Sequence, residues 1–531
     1  MKIRSLIALM LLLVFTGYAG ACFASPVRSN NKITTDSLFK TANIFQSNMV
    51  LQQNKPFTIW GYATAGDKIT IKGDWTTKTT TVIATDSNTW RGSIKVPEAI
   101  PGNFTPHVLT VTAGDKTVTF SNLLIGDVWL ASGQSNMQFG VKGEKGKDNG
   151  VLNYDEEIAA ANYPAIRWFY TDLNFKATPY DQVTGKWVLC SPETVGHFSG
   201  VSYFFARSLY QHLNIPIGII LSTIGASTGQ AWTSRVEMES DTMVYNKYLK
   251  PYDESPKSKE VINGGFTFEK VTRPMLLYNA MIHPLAGFSL KGFIWYQGEF
   301  NHVDKGKYTV LQQHMIHGWR GDFAQGDLPF YFVQMPSFFW NNNDPKAFDY
   351  AVFREAQTGV RTTVKNTGMA ISLDDSVPKI LHPRNKKPIG ERLADIALAK
   401  TYKINGIAYL GPQFKKMKVD GSQAEIFFKD ETLSGGLATK NNQPSNQFFL
   451  AGDDRVFHAA TATIDGDHIV LKSDSVSKPI AARFAFTNMA VVDVFNKAGL
   501  PAEPFRTDNW EAVDDKSSKI KLDYDKLNKG K

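Results

Sequence analysis

Apolar and polar positions change their rhythm three times along the 531-residue chain. Between about Ile44 and Leu124 the runs are short and alternate, as in "FTIWGYA", "DKITIKG", "TTTVIAT", "HVLTVTA" and "KTVTF", with Gly, Asp and Asn between them. Period-two alternation broken by turn residues predicts a small antiparallel β domain. From about Ile125 compact apolar runs take over: "GDVWLAS", "IGIILST", "GFIWYQG", "PFYFVQM" and "GMAISLD". Between the first two lies "VSYFFARSLYQHL", where Val201, Phe204, Phe205 and Leu209 share one helical face. After the last comes "PIGERLADIALAK", where Ile389, Leu393, Ile396 and Ala397 repeat that period. Buried strands alternating with amphipathic helices predict an α/β core, a mostly parallel sheet with helices on both faces. Beyond about Tyr409 short β-like segments return ("AEIFFKD", "NQFFLAG", "HIVLKSD", "IAARFAF"), predicting a second β region.

The length also favours two or three domains over one. Residues 1–24 carry a basic start (Lys2, Arg4), an apolar run from Leu6 to Phe15 and the small-residue end "GACFA", which describe a secretory signal. The expected division is therefore a leader at 1–24, an N-terminal β domain at 25–124, a core at 125–408, a C-terminal β region at 409–515 and a lysine-rich tail at 516–531. Cleavage after Ala24 leaves Cys190 as the one cysteine, so the exported chain forms no internal disulfide. Read instead as a weak lipobox, "AGAC" would lipidate Cys22 and anchor a periplasmic or extracellular form, but Ala19 stands where a larger aliphatic residue is usual. No other stretch is apolar for long enough to span a membrane. The formal charge of +8 falls to +6 without Lys2 and Arg4, and the tail "KSSKIKLDYDKLNKGK" accounts for +4 of that. The body is nearly neutral and has no basic stripe with interleaved aromatics, which argues against a nucleic-acid partner.

In open α/β sheets, ligands bind outside the carboxyl ends of the strands. Ser135 follows the first apolar run of the core, Gly225 the second, Gln297 and Glu299 the third, and Asp374 and then His382 the fifth. Acyl transfer needs such parts: a serine, a histidine to take its proton, and donors facing the developing oxyanion. Two serines compete for the first role. Gly225-Ala226-Ser227-Thr228-Gly229 spells the G-x-S-x-G elbow of α/β-hydrolases, while Ser135 sits in "GDVWLASGQSNMQFG".

The strings "GDVWLASGQSNM", "GFIWYQGEFN" and "LHPRNKKPIGERLA" resemble the sialate O-acetylesterase family of SGNH-type carbohydrate esterases. The flanking "MVLQQNKPFTIWGYA" and "GLPAEPFRTD", and the interior "RPMLLYNAMIHPL" and "FREAQ", extend the resemblance over nearly the whole mature chain. It implies Ser135 as nucleophile, His382 as base, and an oxyanion hole from the backbone of Ser135 and Gly225 with the Gln297 side chain. Ser227 becomes a turn residue beside the pocket. The family's second turn commonly reads W-G-G-T, and this chain reads Ile224-Gly225-Ala226-Ser227. Many SGNH enzymes also carry an acid two or three residues before the histidine, where this chain has Lys379 and Ile380. Asp374 is the first candidate for the acid, Asp375 the second, and a backbone carbonyl is the alternative.

Gln134, Glu299, Asn301 and Trp232 are candidate substrate contacts; Glu299 equally reads as a loop hydrogen-bonding group, and Trp232, like Trp129 and Trp295, as core. His314 and His317 in "HMIH" lack the glutamate and cysteines of a zinc site and read as a solvated helix face. Arg354 and Glu355 read as an ion pair. No metal or organic cofactor is called for, the implied partner is an acetylated sugar or glycan, and oligomeric state is not legible. Two rival functions stand beside the esterase: an α/β-hydrolase acting through Ser227, and a glycan-binding protein over an inactive core.

Overall fold

One strand of 18 residues, β1 (Lys116–Gly133), runs through two parts of the molecule. Its first half alternates in burial and pairs antiparallel with His107–Ala113 of the N-terminal β region. Its second half is wholly buried and forms the centre of the main sheet. The boundary expected at residues 124/125 thus falls inside a continuous strand. A computed structural model describes residues 38–143, 150–340, 344 and 346–510. The leader with Cys22 and the lysine-rich tail lie outside these.

After β1 come β2 (Tyr163–Thr171), β3 (Gly185–Cys190), β4 (Ile217–Thr223), β5 (Gly292–Tyr296), β6 (Phe330–Val333) and β7 (Thr367–Ala370). Their order in the sheet is β3-β2-β4-β1-β5-β6-β7. All pair in parallel except β3, which is antiparallel to β2. β4 to β7 and the end of β1 match the five predicted runs; β2 and β3 are additional. The segment "YPAIRWFYT" of β2 is interrupted by Arg167, which is buried and donates to the Asn122 and Pro164 carbonyls.

The helices are α1 (Ser135–Gln138), α2 (Gly200–Leu213), α3 (Lys307–Phe323), α4 (Asp349–Thr363) and α5 (Lys387–Lys400). On one face α2 crosses α5 so closely that a Cβ at Gly390 would stand 2.6 Å from the Val201 carbonyl oxygen. On the other, α3 packs along α4. Beyond α5, two antiparallel four-stranded sheets and one two-stranded sheet form the described C-terminal β region. Arg506 from that region grips Glu355 with two hydrogen bonds of 2.8 Å. Glu355 therefore does not pair with Arg354 as expected: Arg354 is buried against Tyr350 and donates to the Thr487 carbonyl.

Candidate active site

The ends of β1, β4 and β5 meet where the chain order of the sheet reverses direction, the place where such sheets leave a crevice. Gly133 closes β1 with φ +136°, and a Cβ there would lie 2.2 Å from the Tyr296 carbonyl oxygen at the end of β5. Only glycine permits this approach. Ser135 follows as the first residue of α1, so its N–H has no intrahelical acceptor.

His382 arrives on the segment between β7 and α5 and places Nε2 2.8 Å from Ser135 Oγ. Burial and, second to it, the nearby Lys386 ammonium pull the His382 imidazole down to about 4. At neutral pH the ring is uncharged and able to accept the Ser135 proton.

Asp374 does not reach this pair. Its two carboxylate oxygens accept from Arg392 at 2.8 and 2.6 Å, and Arg392 also donates to the Ile371 carbonyl at 2.7 Å. An ion pair that braces the start of α5 has captured the expected triad acid. Asp375 faces Asn385 and Lys440. Among the described residues His382 makes its one hydrogen bond with Ser135, and no carboxylate meets Nδ1.

Gly225, after β4, lies against Ser135: a Cβ there would be 3.4 Å from Ser135 Cβ. Its N–H donates to Gln138 Oε1 at 2.7 Å, and Gln138 Nε2 donates to the Tyr170 hydroxyl at 3.2 Å. The carboxamide oxygen thus occupies a donor assigned from the sequence to an oxyanion. Gln297, the third expected donor, is fully buried and committed elsewhere. Its Nε2 donates to the Ser227 carbonyl (3.0 Å) and Asn301 Oδ1 (2.8 Å), and its Oε1 accepts from the Tyr308 hydroxyl at 2.8 Å.

The four expected substrate contacts are likewise buried. Gln134 Oε1 accepts from Gly298 N–H at 3.4 Å. Asn301 joins the Gly229 N–H to Asp304 and Gln230. Trp232 packs edge-on against Trp295 and donates to Ser227 Oγ at 2.9 Å. Ser227 donates to the Ile224 carbonyl at 2.8 Å and has no exposed surface, so it is unavailable as a nucleophile. These groups form the floor under the crevice and hold its loops together. His314 and His317 both face Glu237, at 3.2 and 2.9 Å. Among the described residues no three His, Cys, Asp or Glu side chains are grouped to hold a metal ion.

Two residues with no role in the sequence reading join the site from below. Asn136, directly after Ser135, donates through Nδ2 to Glu299 Oε1 (2.5 Å) and to the Leu381 carbonyl (3.1 Å). Its Oδ1 accepts from Lys386 Nζ at 2.5 Å. Glu299, Lys386 and Asn136 are all buried. Burial pulls the Lys386 amine down to about 7 and lifts the Glu299 carboxyl, and each charge partly offsets the other's desolvation. Asn136 lies within the "GQSNM" string; the first of two consecutive lysines in "NKKPIG" gives no sign that it will be buried.

A strand-end serine hydrogen-bonded to a neutral histidine, on a parallel sheet with two flanking backbone donors, is the arrangement of a hydrolase of the SGNH type. Residues 125–399 match the family model described as carbohydrate esterase, sialic acid-specific acetylesterase. Sialate O-acetylesterase of Mus musculus is 31% identical over 427 residues, covering 72% of this chain and 77% of that protein. The Homo sapiens protein of the same name is 30% identical over 416 residues, covering 72% and 74%. The crystal structure of a carbohydrate acetylesterase from Xanthomonas citri superposes with a TM-score of 0.77 at 31% identity, covering 89% of this chain and all of that one. The chain belongs to the sialic acid-specific acetylesterase family of carbohydrate esterases and is a carboxylic ester hydrolase.

Proposed function

We propose that this esterase removes O-acetyl groups from sugars or glycans through an acetyl-enzyme on Ser135. The observation that carries the reading is the 2.8 Å contact between His382 Nε2 and Ser135 Oγ, with the imidazole held uncharged. His382 takes the hydroxyl proton as Oγ attacks the acetyl carbonyl. The carbonyl oxygen becomes an oxyanion facing the N–H groups of Ser135 and Gly225, and Gln138 Oε1 withdraws from Gly225 as it enters. His382 then returns the proton to the departing sugar hydroxyl, and water hydrolyses the acetyl-enzyme by the reverse path. The similarity to sialate O-acetylesterases and to a carbohydrate acetylesterase supports acetyl as the acyl group and a sugar as the leaving group.

The test is acetate release from p-nitrophenyl acetate and from a panel of acetylated sialic acids, xylan and galactoglucomannan. We expect Ser135→Ala to abolish release, because among the described residues no other hydroxyl meets His382. Ser227→Ala should retain most of the activity, and Asp374→Asn should remain within about tenfold of wild type rather than showing the ~10⁴-fold loss of a triad acid. Wild-type rates in Ser135→Ala would overturn the assignment. Failure to hydrolyse any ester would favour the glycan-binding alternative.

A further inference from the structure

The Ser135–His382 pair has no acid behind it among the described residues, yet its geometry is set. In a triad the acid fixes the tautomer and orientation of the imidazole. With no acid among the described residues, the orientation of His382 is left to the placement of the segment that carries it. Beside the His382–Ser135 contact itself, that segment is tied to the neighbour of the nucleophile by the bond from Asn136 Nδ2 to the carbonyl of Leu381. Asn136 is the neighbour of Ser135, and Leu381 is the neighbour of His382, so this bond spans the two catalytic residues one position away on each side. A carboxamide alone is ambiguous, since its oxygen and nitrogen ends are nearly isosteric. Here a cation sits at Oδ1 and a carboxylate at Nδ2, so only one orientation is bonded at both ends. Lys386 itself follows His382 by four residues at the start of α5, and its ammonium is held over the Phe139 and Tyr296 rings.

We propose that Asn136, clamped between Lys386 and Glu299, is a positioning residue that replaces the triad acid by fixing the His382 segment through the Leu381 carbonyl. The inference rests on the serine-esterase reading above and adds the device that preorganises it. The two buried charges thereby set the sense of one amide. Lys386 has a second effect, because its charge opposes protonation of His382. The other groups facing that imidazole are the Ser135 hydroxyl and the Phe139 ring, neither of them charged, and Arg384 reaches away to the Gly150 carbonyl.

The experiment compares wild type, Asn136→Ala, Ser135→Ala and the double variant Lys386→Met/Glu299→Gln, which removes both buried charges together so that neither is stranded. Thermal melting corrects each rate for the folded fraction, and a fluorophosphonate, which reacts with Ser135, counts the active sites in the variants that keep that serine. For Asn136→Ala we expect kcat per active site to fall by roughly 10²-fold with KM within a few-fold, the effect of a misplaced reacting group. For the double variant we expect the acidic limb of the kcat/KM profile to move to higher pH by about one unit, since loss of the Lys386 charge lets His382 protonate more readily. A purely structural role would lower the melting temperature and the active fraction without moving that limb. Asn136→Ala with wild-type kcat per site, or an unmoved limb in a folded double variant, would overturn the proposal. Activity surviving in Ser135→Ala would instead remove the esterase reading on which it rests.

Discussion

In the proposed reaction His382 works as a base because it is kept neutral, and the cause can be read in a titration. Burial is the larger influence and Lys386 the smaller, and both disfavour the imidazolium. The direction is fixed by the role: a base acts deprotonated, so a lowered pKa carries the acidic limb of activity down with it. We expect kcat/KM on p-nitrophenyl acetate to hold through pH 6 and fall toward pH 4, following the imidazole at about 4. A limb at the ordinary histidine value, about 6.5, would mean that the ring is solvated in the working enzyme. That Ser135 and His382 meet could be expected because each lies in a long motif string. Gln297 and Trp232 were legible as members of the site region but not in their roles. Which way the Gln297 amide points depends on partners from other elements, Tyr308 and the Ser227 carbonyl, that no local spacing reveals. Asp374 misled for the same reason: Arg392, one helical turn into α5, holds both of its oxygens.

The turn after β4 shows how one residue type marks the strain of an element. Ala226 has φ +63°, a left-handed conformation that costs an L-residue roughly 1–2 kcal/mol. The family resemblance placed a second glycine there, which adopts this conformation without penalty. The chain keeps the turn because Gly225 and Ser227 on either side are fixed, by Gln138 and by the Ile224 carbonyl. We expect Ala226→Gly to stabilise the protein by about 0.5–1 kcal/mol in urea unfolding, the relief of strain exceeding the added flexibility of the unfolded chain. A loss of stability would show that the buried methyl contributes more by packing than the backbone loses. At this scale the buried parallel strands could be read from their apolar runs, and β2 could not. A buried strand is recognised by an unbroken apolar run, and Arg167 breaks β2 in its middle. Its guanidinium is tolerated because the Asn122 and Pro164 carbonyls receive it, and burial still pulls its pKa down to about 10. Those acceptors are invisible in a hydropathy pattern.

At the scale of the whole molecule, the change of rhythm near residue 125 is real, but it marks a change of surroundings along one strand rather than a separation of bodies. The N-terminal β region and the core share β1, and further links cross the same line. Val50–Gln52 pairs in parallel with Leu124–Gly126. Gln52 donates to the buried Asp127 carboxylate at 2.6 Å and accepts from Val128 N–H at 2.9 Å. Phe45 and Phe57 pack on Phe288 at ring separations of 5.9 and 5.8 Å, and Lys55 donates to the Leu290 carbonyl at 2.6 Å. A chain starting at residue 125 would lose the Gln52 hydrogen bond to Asp127, the cover of Phe288 and the parallel neighbour of β1. A buried carboxylate stripped of a hydrogen bond and a newly exposed apolar face together cost several kcal/mol, on the order of a domain's whole stability. We therefore expect a fragment of residues 125–510 to be insoluble or to lack a cooperative unfolding transition, and the chain from residue 38 onward to melt in one calorimetric step across both parts. A soluble, cooperatively folded and active 125–510 fragment would show that the shared strand is dispensable, and that the N-terminal β region is an appended module after all.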